Sequence, residues 1–247
     1  LTNTLIFTGG TLLAAGAITS PGTRAITFTS TGVIDTNGNA VSIAGIAGGA
    51  GGLTKNGAGT LTLTASNAYD GVTTINAGTV SAQHATALGT TTGATTVSSG
   101  ATLEINGVAI GNEAVTLNGL GMLGLGALQG AGTASVAGNV ILGASVPTIG
   151  GTGTLALTGT VSGTTLTKAD SGTLILSAGN TYTGATQILG GSLQISADSA
   201  LGTAPGAFAA AQLSFDSGGT LKTTASFALD VKRGMQLGAG GGVFDIA

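Results

Sequence analysis

Few side chains in this chain could do chemistry, and their spacing argues against most of it. His84 is the sole histidine; with Asp70 and any of many serines it would complete a nucleophile–base–acid set on paper, but no nucleophile motif accompanies it and an exposed surface position is expected. Gly119, Gly121 and Gly124 spell G-x-G-x-x-G, yet about 1.7 such matches arise by chance at this glycine content, and no helix is expected after it. A Walker-type Gly-Lys-Ser/Thr loop is absent. Cleavage of a polysaccharide needs clustered acids to abstract and return protons, whereas seven Asp and two Glu lie scattered along the chain. Asp35 and Asp245 are expected to form turns. Calcium binding by glycine-rich nonapeptide repeats needs an Asp in every coil, and that spacing is missing. Six basic residues against nine acidic ones leave no basic track for nucleic acid. The chain is not expected to be an enzyme, and no catalytic residue, metal or cofactor is assigned.

What remains is the scaffold. Among 247 residues are 47 Gly and 42 Thr, with no Cys, no Trp and 42% hydrophobic residues. Disorder needs low hydrophobicity and high net charge, and a net charge of −3 argues for a folded chain. Threonine, valine, isoleucine and leucine favour strands, and glycine favours turns, so almost no helix is expected. Without cysteine there is neither a disulfide framework nor a thiolate metal site. The segment 114–167 carries no charge, but its longest apolar run, Gly119 to Leu128, is far too short to span a membrane as a helix. Leu1 opens no signal peptide, since no basic start precedes an apolar run, and any export signal is expected outside this piece.

An internal repeat is the strongest signal. Leu53–Gly89 matches Leu166–Gly202 without a gap at an offset of 113 residues, and both tyrosines of the chain, Tyr69 and Tyr182, occupy the same repeat position, as do Lys55 and Lys168. His84 faces Ala197 across the repeat, so no repeated role needs an imidazole. LIFTGGTL at 5–12 echoes LSFDSGGTL at 213–221, and Gly32-Val33-Ile34-Asp35 echoes Gly242-Val243-Phe244-Asp245; the chain is therefore expected to be an excerpt of a longer periodic protein.

Within each unit Leu61 and Leu63, like Leu174 and Leu176, alternate with outward residues such as Thr60, Thr62 and Thr64, which is strand periodicity. Thr73 and Ile75, matched by Thr186 and Ile188, make a second strand. Val80 and Ala82, matched by Leu193 and Ile195, make a third. Three short strands with glycine-rich corners within about thirty residues predict coils that stack on one another. The expected fold is all-β, one continuous parallel β-helix over 1–247 with repeat copies at 53–89 and 166–202, roughly eleven coils of about 20 to 25 residues and a rod about 50 Å long.

The pattern Lys55, Gly59-Thr60-Leu61, Leu63, Asn67, Tyr69, Gly71, Thr73, Ile75 and Gly78, repeated through Lys168, Gly172, Leu174, Leu176, Asn180, Tyr182, Gly184, Ile188 and Gly191, resembles the passenger-associated transport repeat of bacterial autotransporters. Asp170 and Ser171 depart from Gly57 and Ala58 in one turn only. The resemblance implies a right-handed parallel β-helix on the surface of a Gram-negative cell, behind an export signal and ahead of an outer-membrane barrel, both elsewhere in the full chain. It implies secretion and folding of the passenger, not chemistry.

Of the motif residues, Lys55 and Lys168 are expected at exposed corners. Asn67 and Asn180 are expected to close turns, and Tyr69 and Tyr182 to pack in the core or a corner. The expected function is a structural stalk or fibre whose coils fold in sequence during secretion. One alternative is an adhesin binding host cells, neighbouring cells or glycans through a lateral face. Another is an extracellular filament of copies stacked end to end, since uncapped coils present open edges. Expected partners are thus adjacent segments of the same chain, stacked copies, or a host cell or glycan. A threonine lattice for ice or a crystal surface is weakened where Ile175 and Ser177 interrupt it.

Overall fold

The computed structural model describes residues 3–246; Leu1, on which the signal-peptide reading falls, and Ala247 lie outside them. All strand pairings within the four sheets are parallel, and the sheets run along the rod with 4, 8, 11 and 7 strands. The helical content among the described residues is two 3₁₀ turns, Met122–Gly124 and Asp198–Leu201. No helix there is long and apolar enough to cross a membrane.

The chain visits three faces in a fixed order. In the first coils Leu5–Phe7 lies on face one, Thr11–Leu13 on face two and Ile18–Ser20 on face three, and the next strands, Ile26–Phe28, Gly32–Asp35 and Val41–Ile43, stack on them in turn. The eleven-stranded sheet of face three counts the coils, in agreement with the expected parallel β-helix of roughly eleven. Face one is broken once, at 83–94, where an irregular turn replaces a strand; after it the seven-stranded sheet starting at Ala109–Ile110 takes the same place in the coil order. Crossovers joining parallel strands of one sheet wind right-handed almost without exception.

Alternation fills the interior. Leu61 and Leu63 are buried while Thr62 is half-buried and Thr64 exposed. Stacking in register then turns each inward residue into one rung of a column. On face three the column runs Val41, Leu61, Val80, Leu103, Leu128 and Ile149. On face two it runs Ile34, Lys55, Ile75, Val97, Leu117 and Leu142. Outward rows form the same way: Thr54, Thr74, Thr96 and Thr116 follow one another on face two, with Asn56 and Asn76 joined beside them by an Nδ2 to Oδ1 bond of 2.9 Å. Face one carries an aromatic column in which the Phe7 and Phe28 rings lie 5.1 Å apart and Tyr69 meets Phe28 edge-on at 5.4 Å.

The two repeats do not lie on the same faces. In the first, Leu53–Asn56 and Thr73–Ile75 are on face two and Thr60–Leu63 and Gly78–Ala82 on face three; in the second, Leu166–Lys168 and Thr186–Ile188 are on face three and Thr173–Leu176 and Ser192–Ile195 on face one. From Leu53–Asn56 five stacking steps along face two reach Val161–Gly163, and the second copy starts one face later. The repeat period is thus five coils and a third.

Truncating a rung tests this packing. Leu103→Ala, at a fully buried site between Val80 and Leu128, is expected to cost about 2–5 kcal/mol in urea unfolding, while Thr62→Ala on the outer side of the same face should stay within about 0.5 kcal/mol.

Candidate functional site

The repeated residues converge on two buried corners built to the same plan. Lys55 and Lys168 stand in the aliphatic columns themselves, Lys55 between Ile34 and Ile75, Lys168 between Ile149 and Ile188. This corrects the expectation of exposed corners: their exposures are 0% and 1%. A buried ammonium has three N–H groups to satisfy, and each lysine satisfies them on main-chain carbonyls. Lys55 Nζ donates to the carbonyls of Asn56 (2.9 Å), Gly57 (2.7 Å) and Ala77 (3.0 Å). Lys168 Nζ donates to those of Ala169 (2.5 Å), Asp170 (2.9 Å) and Gly190 (3.3 Å). The three acceptors sit one, two and 22 residues further on in both copies, so each lysine ties its own corner to the corner of the next coil.

Burial lowers both lysines to about 8, opposed by the charge of Asp35 at Lys55 and of Asp170 at Lys168. The ammonium therefore remains charged at neutral pH. The carbonyls reach inward because the chain turns in left-handed geometry at the corner, Gly57 at φ +79° and its counterpart Asp170 at +64°. Aspartate tolerates that region, and its side-chain oxygen accepts the next backbone N–H, that of Ser171, at 2.9 Å.

Asn67 and Asn180 are buried as well, and each bridges the coil below to the coil above instead of closing its own turn, as was expected of it. Asn67 Oδ1 accepts from the Ala47 N–H (2.9 Å) and its Nδ2 donates to the Ala87 carbonyl (2.7 Å); Asn180 does the same with Val161 (2.8 Å) and Ala200 (2.7 Å). Tyr69 and Tyr182 are core residues, each sharing a 2.7 Å hydrogen bond with the hydroxyl four residues on, Thr73 and Thr186. Burial raises both phenols above their usual range. Leu61, Leu63, Ile75, Leu174, Leu176 and Ile188 are buried rungs.

The motif glycines mark where coils touch. A Cβ on Gly59 would lie 1.9 Å from the Asn39 carbonyl oxygen, and one on Gly172 2.3 Å from that of Gly153. Gly71 and Gly184 abut the preceding coil at Gly52 and Thr165. Gly78 and Gly191 turn in left-handed geometry at φ +69° and +57°.

The residues singled out for chemistry are not brought together. His84 Nδ1 accepts from the Thr86 N–H at 3.2 Å, while Asp70 Oδ1 accepts from the Thr90 hydroxyl at 2.8 Å. Gly119, Gly121 and Gly124 belong to a loop whose helical part is a single 3₁₀ turn. Asp35 caps a turn by accepting from the Asn37 N–H. Asp245, by contrast, lies on strand Gly242–Asp245 and pairs with Lys222 at 3.4 Å, so it is not the turn-former expected. Among the described residues no group of three or more His, Asp or Glu could hold a metal ion.

Four contributing residues were not found from the sequence. Thr73 and Thr186 as phenol partners were within reach, since both stand four residues after tyrosine. Arg233, which joins Asp198 at 2.9 Å and donates to the Leu201 and Gly202 carbonyls, and Glu113, buried with Thr95 Oγ1 donating to it at 2.8 Å, have no counterpart in the other copy to signal them.

A parallel β-solenoid carrying a twice-used buried corner is the class of structure defined here, and the corner unit is the passenger-associated transport repeat, matched at residues 53–82 and 166–195. The chain thus resembles autotransporter passengers. It is similar to a protein described as adhesin BmaC autotransporter, from Brucella suis biovar 1 (strain 1330), being 54% identical over 65 residues, which is 26% of this chain and 2% of that protein. No solved structure matches significantly.

Removing the ammonium tests the corner. Lys168→Met keeps the aliphatic stem but leaves three inward carbonyls without a donor, at about 1–3 kcal/mol each. A loss of at least about 3 kcal/mol is expected by urea unfolding at pH 7; a neutral outcome would show that water replaces the ammonium.

Proposed function

We propose that this chain is a stalk segment of an exported, autotransporter-like surface protein of a Gram-negative bacterium, whose coils fold one upon the next as the chain emerges. The observation that carries this reading is the corner itself. Lys55, Asn67 and their second-copy counterparts bond to atoms about 20 residues away, in the coil just before or just after. Such a unit completes its polar bonding once one further coil has arrived, with no distant segment required. Nearest-neighbour stabilisation of this kind suits a chain delivered end first. The 54% identity to an autotransporter adhesin and the two transport repeats support export; a membrane barrel and an export signal belong to the rest of such a protein.

A second reading, an adhesive lateral face, is favoured by the described name of that relative and by the regular outward row Thr54, Thr74, Thr96 and Thr116. Its partner would be a cell surface or glycan.

Labelling intact cells of the source bacterium with a membrane-impermeant amine reagent tests export and corner together. Lys222 and the exposed Lys232 should be modified on whole cells, and Lys55 and Lys168 only after denaturation. Labelling of Lys222 that appears only after lysis would overturn surface exposure. Exchanging the four row threonines for valine, which keeps the β-branched shape and adds no stacked charge, in the full-length protein separates the readings: unchanged adhesion fits a stalk, and lost adhesion with unchanged urea unfolding fits the binding face.

A further inference from the structure

The two repeats end in the same turn but are covered differently. In the first, residues 84–90 close over Tyr69, with the Thr90 N–H donating to the Tyr69 carbonyl at 2.9 Å; in the second, residues 197–203 close over Tyr182, with the Thr203 N–H donating to the Tyr182 carbonyl at 2.9 Å. The second turn is clamped by Arg233, whose guanidinium donates to Leu201, Gly202 and Asp198. The first has no such clamp. Against it lies Glu113, 4% exposed, with the Thr95 hydroxyl as its hydrogen-bond donor. Glu113 lines a cavity of about 50 Å³ shared with Ala85, Thr86, Leu88 and Gly89, which has room for water.

We propose that Glu113 makes the first repeat's closing turn a pH-gated element, shut while the carboxyl is protonated and loosened when it ionises and draws water into the cavity.

The surroundings of Glu113 offer no cation to hold it ionised. The coil above packs Gly138 onto its backbone and belongs to the charge-free segment 114–167. The strand Thr95–Val97 below contributes a hydroxyl and no charge. Two coils before it lies the buried phenol of Tyr69, which the charge of Glu113 reaches. On the turn itself the titratable group is His84, and Asp70 points outward to Thr90. Desolvation raises Glu113 to about 7, opposed by the Thr95 hydrogen bond. Since the folded value lies above the unfolded one, the stabilisation is complete below about 4.5 and is lost as pH rises through about 7. On ionisation the proton passes to bulk solvent.

Amide hydrogen exchange of the folded chain at pH 5.5 and 8, corrected for intrinsic rates, tests this with the second repeat as internal control. Opening at Thr90 and Thr95 is expected to increase at least tenfold at the higher pH, while Thr203 holds. Glu113→Gln should abolish the response, and His84→Ala, which gives the first turn the alanine found in the second, should keep it. Thr90 and Thr203 opening together, no change at either, or loss of the response in His84→Ala would each overturn the proposal. Should Glu113→Gln not fold, the contrast between Thr90 and Thr203 in the unaltered chain still decides.

Discussion

Parallel stacking at a single strand spacing constrains everything else in this molecule. Each inward residue must sit on its counterpart one coil before and one coil after, so an error in volume or register at one rung is passed to its neighbours and not absorbed by a distant part of the core. The columns of leucine, isoleucine and valine on faces two and three meet that demand with residues of similar size. It also explains the scarcity of charge, because stacked like charges at this spacing would repel along the whole rod.

The corners pose the harder problem. A strand can satisfy its backbone on the strands above and below, but a tight arc between faces turns carbonyls inward where no ladder reaches them. The transport repeat answers with side chains: an ammonium for three carbonyls, an asparagine amide that accepts from one coil and donates to the next, and a phenol closed onto a threonine. A buried charge is costly unless its donors are all met, and here the corner and the lysine complete one another. That interdependence accounts for the repeat better than any surface role does.

Much of this was legible in the sequence. Alternation at Leu61 and Leu63, the gapless match of 53–89 with 166–202 and the glycine spacing are signals carried by the sequence itself, and they led to the solenoid and its coil number. The fate of Lys55, Lys168, Asn67 and Asn180 was not legible, since lysine and asparagine are ordinarily exposed and their partners lie a whole coil away. The change of face between repeats was hidden for a related reason. Coil length varies, with Ile149 stacking on Lys168 19 residues on and Ile188 on Phe215 27 residues on, so no fixed divisor of 113 could reveal the fraction. Glu113 and Arg233 stood outside the repeat and therefore outside its logic.

The fractional period has a geometric consequence for longer assemblies of the same unit. Five coils and a third is a threefold screw operation: each further copy presents its corner a third of a turn around the axis, and about sixteen coils, roughly 75 Å at the strand spacing, must pass before a copy faces the original direction again. A flat surface laid along such a rod would meet every third copy, whereas something wrapped around it would meet them all.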